Sequence, residues 1–145
     1  MIDGVKILSL NTRIDKRGFF REIFRFPSDF KEKKISQLSH SLVEENVIKC
    51  WHGHVYQYQW NYVVSGKIKV GLFDNRDDSE TFRETMEFFS GIESSPTAYF
   101  FPPGVFHGYK CIEGPLNIIY VTSGTYDLKD ELRRSDDDLN IKFSW

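Results

Sequence analysis

Two stretches of this sequence decide the fold: Val47-Ile48-Lys49-Cys50-Trp51-His52-Gly53-His54 and Pro102-Pro103-Gly104-Val105-Phe106-His107. In the first stretch, an apolar strand-like run leads into two histidines that are two residues apart. A strand would therefore point both imidazoles to the same face. In the second stretch, a Pro-x-Gly-x-x-His turn between two strands carries a third imidazole. We expect the three rings to meet at the mouth of a barrel.

The remainder of the chain alternates short strand-like runs with turn residues, which is the pattern of a sandwich or barrel. Alternation is clearest where Ile68, Val70 and Leu72 share one face. The predicted strands are Val5–Leu10, Phe19–Phe26, Val47–Trp51, Trp60–Val64, Lys67–Phe73, Thr97–Phe101 and Leu116–Thr122. Predicted turns include Ser65-Gly66 and Glu113-Gly114-Pro115. Short helices could form at Pro27–Lys34 and Leu128–Leu139.

Composition restricts the partners of the protein. A chain of 145 residues, 40% of them hydrophobic, favours one domain over residues 1–145. The formal net charge of −2 gives no basic excess for binding nucleic acid. The sequence contains no polybasic patch and no apolar run of about 20 residues, so it gives no indication of membrane association. Because Cys50 and Cys111 form no disulfide framework and no signal-peptide pattern is present, we expect a reduced, cytoplasmic protein.

The two histidine stretches match the two halves of the cupin signature. The first half reads His52-x-His54, then Gln59, then Gly66; the second reads Pro102-x-Gly104-x-x-His107. A lone His-x-His would be weak evidence, but the two halves together are specific. They predict an all-β fold of the cupin kind, a double-stranded β-helix or jelly roll.

Two chemistries can use this layout. In a metal-dependent cupin, His52, His54, Gln59 and His107 would converge on one divalent ion. The usual glutamate of such sites is Gln59 here, so the site would lack its negative charge. In a metal-free cupin, a histidine acts as a general base. A third interpretation is that the histidines only pack and hydrogen-bond at the barrel mouth.

The chain resembles the nucleotide-sugar epimerases typified by dTDP-4-dehydrorhamnose 3,5-epimerase, from Asp15 to Trp145. The motifs that carry the resemblance are Asp15-x-Arg17-Gly18-x-Phe20-x-Glu22, Gln37-x-Ser39-x-Ser41, Lys49-Cys50-Trp51-His52, Val64-Ser65-Gly66, Asp74-Asn75-Arg76-x-x-Ser79-x-Thr81-Phe82 and His107-Gly108. Tyr120, Tyr126 and Glu131 then follow at the family's spacing.

The resemblance implies a homodimeric enzyme that needs no metal or organic cofactor and acts on a nucleoside-diphosphate 4-keto-6-deoxy sugar. The C4 ketone acidifies the hydrogens on C3 and C5, so a base can form an enolate and an acid can return a proton to the opposite face. By position, His52 would be the base and Tyr120 the acid. The positions that would contact substrate are Arg17, Glu22, Gln37, Lys49, Gln59, His107, Tyr126 and Glu131.

Several positions depart from the family pattern. Gln59 replaces a lysine that stabilises the enolate oxygen, and Lys49 replaces an arginine, which keeps the charge but loses the bidentate fork. The family can supply a carboxylate partner for the base histidine from beyond the position of Trp145; here that partner is either missing or replaced by another residue. His54 is more typical of the sugar 3,4-ketoisomerases, so ketoisomerisation is an alternative. A non-catalytic sugar-binding protein is another.

Overall fold

Strands make up the regular structure of this protein. The computed structural model describes residues 1–25, 34–92 and 96–145, and within these ranges it contains ten strands and no helix. The strands are β1 (Lys6–Ser9), β2 (Thr12–Asp15), β3 (Gly18–Arg21), β4 (Gln37–Val43), β5 (Ile48–His54), β6 (Gln59–Asp74), β7 (Thr85–Gly91), β8 (Thr97–Phe101), β9 (Val105–Thr122) and β10 (Glu131–Arg133). The predicted all-β class is confirmed.

Two long antiparallel strands, β6 and β9, form the spine of the main sheet. They pair from Gln59 opposite Thr122 to Asp74 opposite Val105. The first half of β6 also pairs with β8 and its second half with β7. The first half of β9 pairs with β5 and its second half with β4. Together with β1 and β10, the described residues form an eight-stranded sheet with the arrangement of a cupin jelly roll, beside a separate β2–β3 hairpin.

Two of the predicted turns lie inside the long strands. β6 continues through Ser65-Gly66 and β9 through Glu113-Gly114-Pro115, with shifts of register where the two segments face each other. Gly66 has φ of 85°, and a Cβ atom there would lie 2.5 Å from the Glu113 carbonyl oxygen. The predicted breaks are therefore wrong: the glycine permits a local irregularity within a continuous ladder.

The helix suggested for Leu128–Leu139 is also wrong. Residues Glu131–Arg133 form β10, which pairs with the edge of β5. Leu132 packs against a cluster of apolar side chains beneath β5, and the segment has no apolar stripe that a helix could bury. Phe26 and the helix suggested for Pro27–Lys34 lie outside the described residues, except for Lys34.

An aromatic cluster supports the strand that carries the first two histidines. Trp51, Phe73, Phe106 and Ile141 are buried together, with Phe143 and Trp145 packed against them. Gly53 lies between the two histidines, and a Cβ atom there would come within 3.2 Å of the Phe106 ring. The outward face of β5 is therefore anchored while the histidines point to the opposite face. In the parts of the chain that are described, no helix has the length and apolarity needed to cross a membrane.

The loop after β6 is organised by one buried carboxylate. The Asp74 side chain has no exposed area, and it accepts hydrogen bonds from Arg76, Ser79 and Thr81. Burial raises the pKa of Asp74, but these hydrogen bonds lower it more, so the net pKa lies well below its ordinary value. Arg76 also donates to the backbone carbonyl of Asp3 at 2.8 Å. This motif, Asp74 to Thr81, thus ties the loop to the N-terminal segment.

Candidate active site

A cavity of about 270 Å³ opens at one end of the barrel. Its walls come from β4, β5, β6, β8, β9 and β10, together with the segments that connect β5 to β6 and β9 to β10. The lining side chains are mostly polar or aromatic: Gln37, Ser39, Lys49, His52, His54, Gln57, Gln59, Asn61, Tyr99, His107, Tyr109, Tyr120, Thr122, Tyr126, Asp127 and Glu131. Nine of the residues named from the sequence therefore share one space: Gln37, Lys49, His52, His54, Gln59, His107, Tyr120, Tyr126 and Glu131.

His52 lies on β5, which is flanked by β9 and β10 in the sheet. Its position on β5 is opposite His107 of β9 and opposite Arg133 of β10. The Glu131 carboxylate oxygen Oε1 lies 3.5 Å from His52 Nδ1 and 2.8 Å from the Arg133 guanidinium. Glu131 thus occupies the role of carboxylate neighbour to His52, which the sequence did not reveal.

The surroundings keep His52 in its neutral form. Burial lowers the pKa of His52, and the positive charge of Arg133 lowers it further, while Glu131 opposes both. The hydrogen bond from Arg133 lowers the pKa of Glu131, with a smaller contribution from His52. At neutral pH the imidazole is therefore free to accept a proton and the carboxylate beside it is ionised.

Tyr120 is a protonated phenol within the same cavity. Its hydroxyl oxygen lies 2.7 Å from that of Tyr109, and the two hydroxyls share a hydrogen bond. Burial raises the pKa of Tyr120, although hydrogen bonds with Tyr109 and Ser41 act in the opposite direction. Burial also raises the pKa of Tyr109, and the neighbouring Tyr120 adds to that effect. Tyr120 is therefore a proton donor at neutral pH.

A second histidine–carboxylate pair lies beside the first. His54 Nδ1 is 2.9 Å from Oδ2 of Asp130, and the Asp130 side chain is 3% exposed. The backbone N–H of Tyr56 donates to the other Asp130 oxygen at 2.5 Å. Sequence reasoning missed Asp130; it precedes β10 directly, but only the pairing of β10 with β5 shows which histidine it meets.

His107 forms the inner wall between these two pairs. Its ring stacks on Phe101 at a centroid distance of 4.1 Å and lies 5.7 Å from the His54 ring and 6.3 Å from the His52 ring. Burial lowers the pKa of His107 well below its ordinary value, and the nearby histidines add to this effect. His107 is therefore a neutral ring in the cavity wall.

The remaining predicted residues divide between the cavity and a separate hairpin. Gln37 accepts a hydrogen bond from the Tyr126 backbone N–H at 2.9 Å, which joins β4 to the segment before β10. Arg17 and Glu22 lie outside the cavity, on or next to the β2–β3 hairpin. Arg17 pairs with Asp15 at 2.6 Å and Glu22 with Arg25 at 2.5 Å.

The donor geometry does not favour the metal-binding interpretation. Across residues 1–25, 34–92 and 96–145, no group of three or more His, Cys, Asp and Glu side chains is arranged to hold a metal ion. The buried Gln59, which stands where a metal-dependent cupin has its glutamate, donates through Nε2 to Asn61 Oδ1 at 2.7 Å. It brings no negative charge to the three imidazoles.

Comparison with known proteins places the chain in a family. The family profile described as dTDP-4-dehydrorhamnose 3,5-epimerase matches residues 1–145. The chain is 40% identical over 148 aligned residues to the spore coat polysaccharide biosynthesis protein SpsL of Bacillus subtilis, covering 100% of this chain and 97% of that protein. It is 33% identical to Agl13 of Haloferax volcanii, a probable low-salt glycan biosynthesis epimerase, covering 89% of this chain and 83% of that protein.

A solved structure supports the fold. The dTDP-6-deoxy-D-glucose-3,5-epimerase of Legionella pneumophila, crystallised with dTDP-4-keto-L-rhamnose, superposes with a TM-score of 0.90 at 21% identity. The superposition covers 99% of this chain and 79% of that one. The predicted cupin fold is thereby confirmed. From the profile match and the level of identity to these relatives, this chain belongs to the dTDP-4-dehydrorhamnose 3,5-epimerase family of isomerases.

Proposed function

We propose that this protein epimerises a nucleoside-diphosphate 4-keto-6-deoxy sugar at C3, at C5 or at both. The observation that carries the proposal is one cavity that contains His52 beside the Glu131 carboxylate together with Tyr120; burial lowers the pKa of His52 and raises that of Tyr120. An epimerase needs a base on one side of the sugar carbon and an acid on the other, and these two groups have the required protonation states at neutral pH.

The reaction follows from the chemistry of the ketone. His52 removes the proton from C3 or C5, the C–H electron pair forms a C=C bond, and the C4 carbonyl electrons move onto oxygen to form an enolate. Tyr120 then donates its proton to the same carbon from the opposite face, and the C=O bond is restored. One proton is taken and one is given, so no oxidant or cofactor is consumed.

The other cavity residues would hold the substrate. Gln37, Tyr126 and His107 line the sugar space, and Lys49 stands at an exposed position where it can neutralise a diphosphate. The names of SpsL and Agl13 refer to polysaccharide and glycan biosynthesis. We therefore place the product sugar in the assembly of a polysaccharide or glycan, and we propose dTDP as the first nucleotide to test because the Legionella epimerase was crystallised with a dTDP-sugar.

Hydrogen exchange at the sugar tests this function directly. Incubation with dTDP-4-keto-6-deoxyglucose in deuterated water should replace the hydrogen on C3 or C5 with deuterium, as followed by proton NMR. The His52→Ala variant should lose exchange, and Tyr120→Phe should lower it at least about a hundredfold. An absence of exchange with the dTDP-, GDP-, UDP- and CDP-linked sugars would overturn the proposal.

One specific feature favours a second candidate. The buried His54–Asp130 pair could move a proton between C3 and C4, which would make the protein a 3,4-ketoisomerase. That reaction yields a 3-keto product through an enediol, whereas epimerisation leaves the ketone on C4. The carbon-13 spectrum of the product separates them, because the carbonyl carbon changes position only in the ketoisomerase reaction.

A further inference from the structure

The C4 oxygen of a 4-keto sugar needs a hydrogen-bond donor when the enolate forms, because negative charge develops on it. The residue that replaces the family's lysine, Gln59, is a neutral amide that is 6% exposed. One of its N–H groups is already used in the hydrogen bond to Asn61. A neutral amide with one N–H group engaged by Asn61 gives an enolate less electrostatic stabilisation than a lysine would, which favours a cationic donor elsewhere in the cavity.

Among the described residues that line the cavity, the side chains able to carry positive charge are Lys49, His52, His54 and His107. Lys49 is exposed to solvent, which screens its charge. His52 is the proposed base and must be neutral to act. Burial keeps the pKa of His107 far below neutrality, and this ring has no carboxylate beside it in the described structure. His54 is the group that remains.

The geometry of His54 fits a donor. Its Nδ1 is directed at Asp130, 2.9 Å away, so the opposite ring nitrogen, Nε2, is the atom left to meet a ligand in the cavity. The His54 side chain is 18% exposed, and its ring stacks nearly parallel to the His107 ring, with 22° between the two planes. Both contacts hold the ring in one orientation before substrate arrives.

Asp130 supplies a buried carboxylate directly behind the His54 ring. Its carboxylate is almost fully enclosed and is fixed through both oxygens, by His54 and by the Tyr56 backbone N–H. A buried charge without a partner is strongly unfavourable, whereas a paired one is tolerated. An imidazolium at this position would donate through Nδ1 to Asp130 and through Nε2 toward the cavity, and Asp130 acts as a positioning residue.

His54 also has the right relation to the base. It lies two residues after His52 on β5, so both side chains reach the same face, roughly 7 Å apart along the strand. The C4 oxygen and the hydrogen on the neighbouring carbon are adjacent on the sugar ring. One face of β5 can therefore present the base to the carbon and the donor to the oxygen.

We propose that His54 Nε2 donates the hydrogen bond that stabilises the C4 enolate oxygen, in the place of the family's lysine. This inference rests on the proposed epimerase function. As His52 takes the carbon-bound proton, the carbonyl electrons move to the C4 oxygen. The hydrogen bond from His54 Nε2–H to that oxygen then becomes shorter. When Tyr120 returns a proton to carbon, the electrons return to C=O and the His54 proton stays on the ring.

The test compares His54→Gln with wild type in the exchange reaction with dTDP-4-keto-6-deoxyglucose. A neutral glutamine amide is a weaker donor to an enolate than the imidazole ring held by Asp130, so kcat should fall by up to about a hundredfold while KM stays near the wild-type value. Introducing the family's lysine as Gln59→Lys in the His54→Gln background should restore most of kcat. Asp130→Asn should give a smaller loss of kcat, because the ring keeps its place but loses the counter-charge.

His40→Gln is the matched control, since His40 is an exposed histidine on β4 that bonds to Asn117 and does not line the cavity. It should keep wild-type kcat and KM. Circular dichroism and thermal unfolding test whether each variant is folded. If the variant with Gln59→Lys fails to fold, a fall in kcat at unchanged KM in His54→Gln alone still tests the role of His54. A wild-type kcat in His54→Gln would overturn this inference alone, as would a loss of kcat in Lys49→Gln but not in His54→Gln. Absence of exchange in the wild-type protein would overturn both proposals.

Discussion

At the scale of single residues, the Glu131 carboxylate contributes to the proton affinity of His52. Glu131 raises the pKa of His52 against the effects of burial and Arg133. In Glu131→Gln this support is lost while Arg133 stays, so the pKa of His52 falls. The acid limb of the kcat/KM profile should move to lower pH, and kcat should fall roughly tenfold because the base is weaker. Rates of deuterium exchange across pH measure both effects.

A matched change elsewhere separates this effect from a general loss of charge. Glu113 is an exposed carboxylate on β9 that pairs with Lys67 at 3.3 Å, and Glu113→Gln should leave the pH profile unchanged. A Glu131→Gln variant with the wild-type acid limb would show that Glu131 does not act on His52.

At the scale of elements, the loop after β6 depends on the buried Asp74. Asp74→Asn keeps the shape of the side chain but leaves Arg76 next to a neutral amide and weakens three hydrogen bonds. We expect the free energy of unfolding to fall by about 2–4 kcal/mol at neutral pH, as measured by urea denaturation at fixed protein concentration.

The pH dependence of this loss has a definite sign. Because the pKa of Asp74 is depressed in the folded protein, its contribution to stability is present above an unfolded pKa of about 3.9 and declines as the pH falls below it. The difference between wild type and Asp74→Asn should therefore shrink in acid. Asp77→Asn, an exposed neighbour in the same loop, should change neither stability nor its pH dependence.

The same scale shows what the sequence can and cannot predict. The alternation in Lys67–Leu72 and the apolar run before His52 predict strands because burial imposes a period of two. The sequence wrongly predicts chain breaks at Gly66 and Pro115, since the local chemistry of these residues is the same in a turn and in a ladder irregularity. The contact of Glu131 with His52 depends on the register of β10 against β5, which joins segments distant in sequence and leaves no local signal.

At the scale of the whole molecule, the β2–β3 hairpin presents an apolar surface that we propose is covered by a second copy of the chain. Ile14, Phe19 and Phe20 are 80%, 53% and 65% exposed. Arg17 and Glu22, which the family resemblance assigns to substrate contact, lie in the same part of the chain and outside the cavity of their own protomer, which supports the proposal. The double variant Ile14→Asp/Phe20→Asp should convert a homodimer to a monomer in sedimentation velocity.

A control variant tests whether that change is specific to the hairpin. Leu139 is 94% exposed in the C-terminal segment, and Leu139→Asp should sediment as wild type does. A wild-type protein that sediments as a monomer at micromolar concentration would contradict the proposed dimer.

The short strand β10 links the chemistry to the thermal behaviour of the enzyme. It is 3 residues long, pairs at the edge of the sheet, and positions both carboxylates that face the histidines, Asp130 and Glu131. Fraying of an edge element costs far less free energy than global unfolding. A single local opening would separate both carboxylates from their imidazoles at once. Heating should therefore inactivate the enzyme reversibly at temperatures below those of its cooperative melting transition.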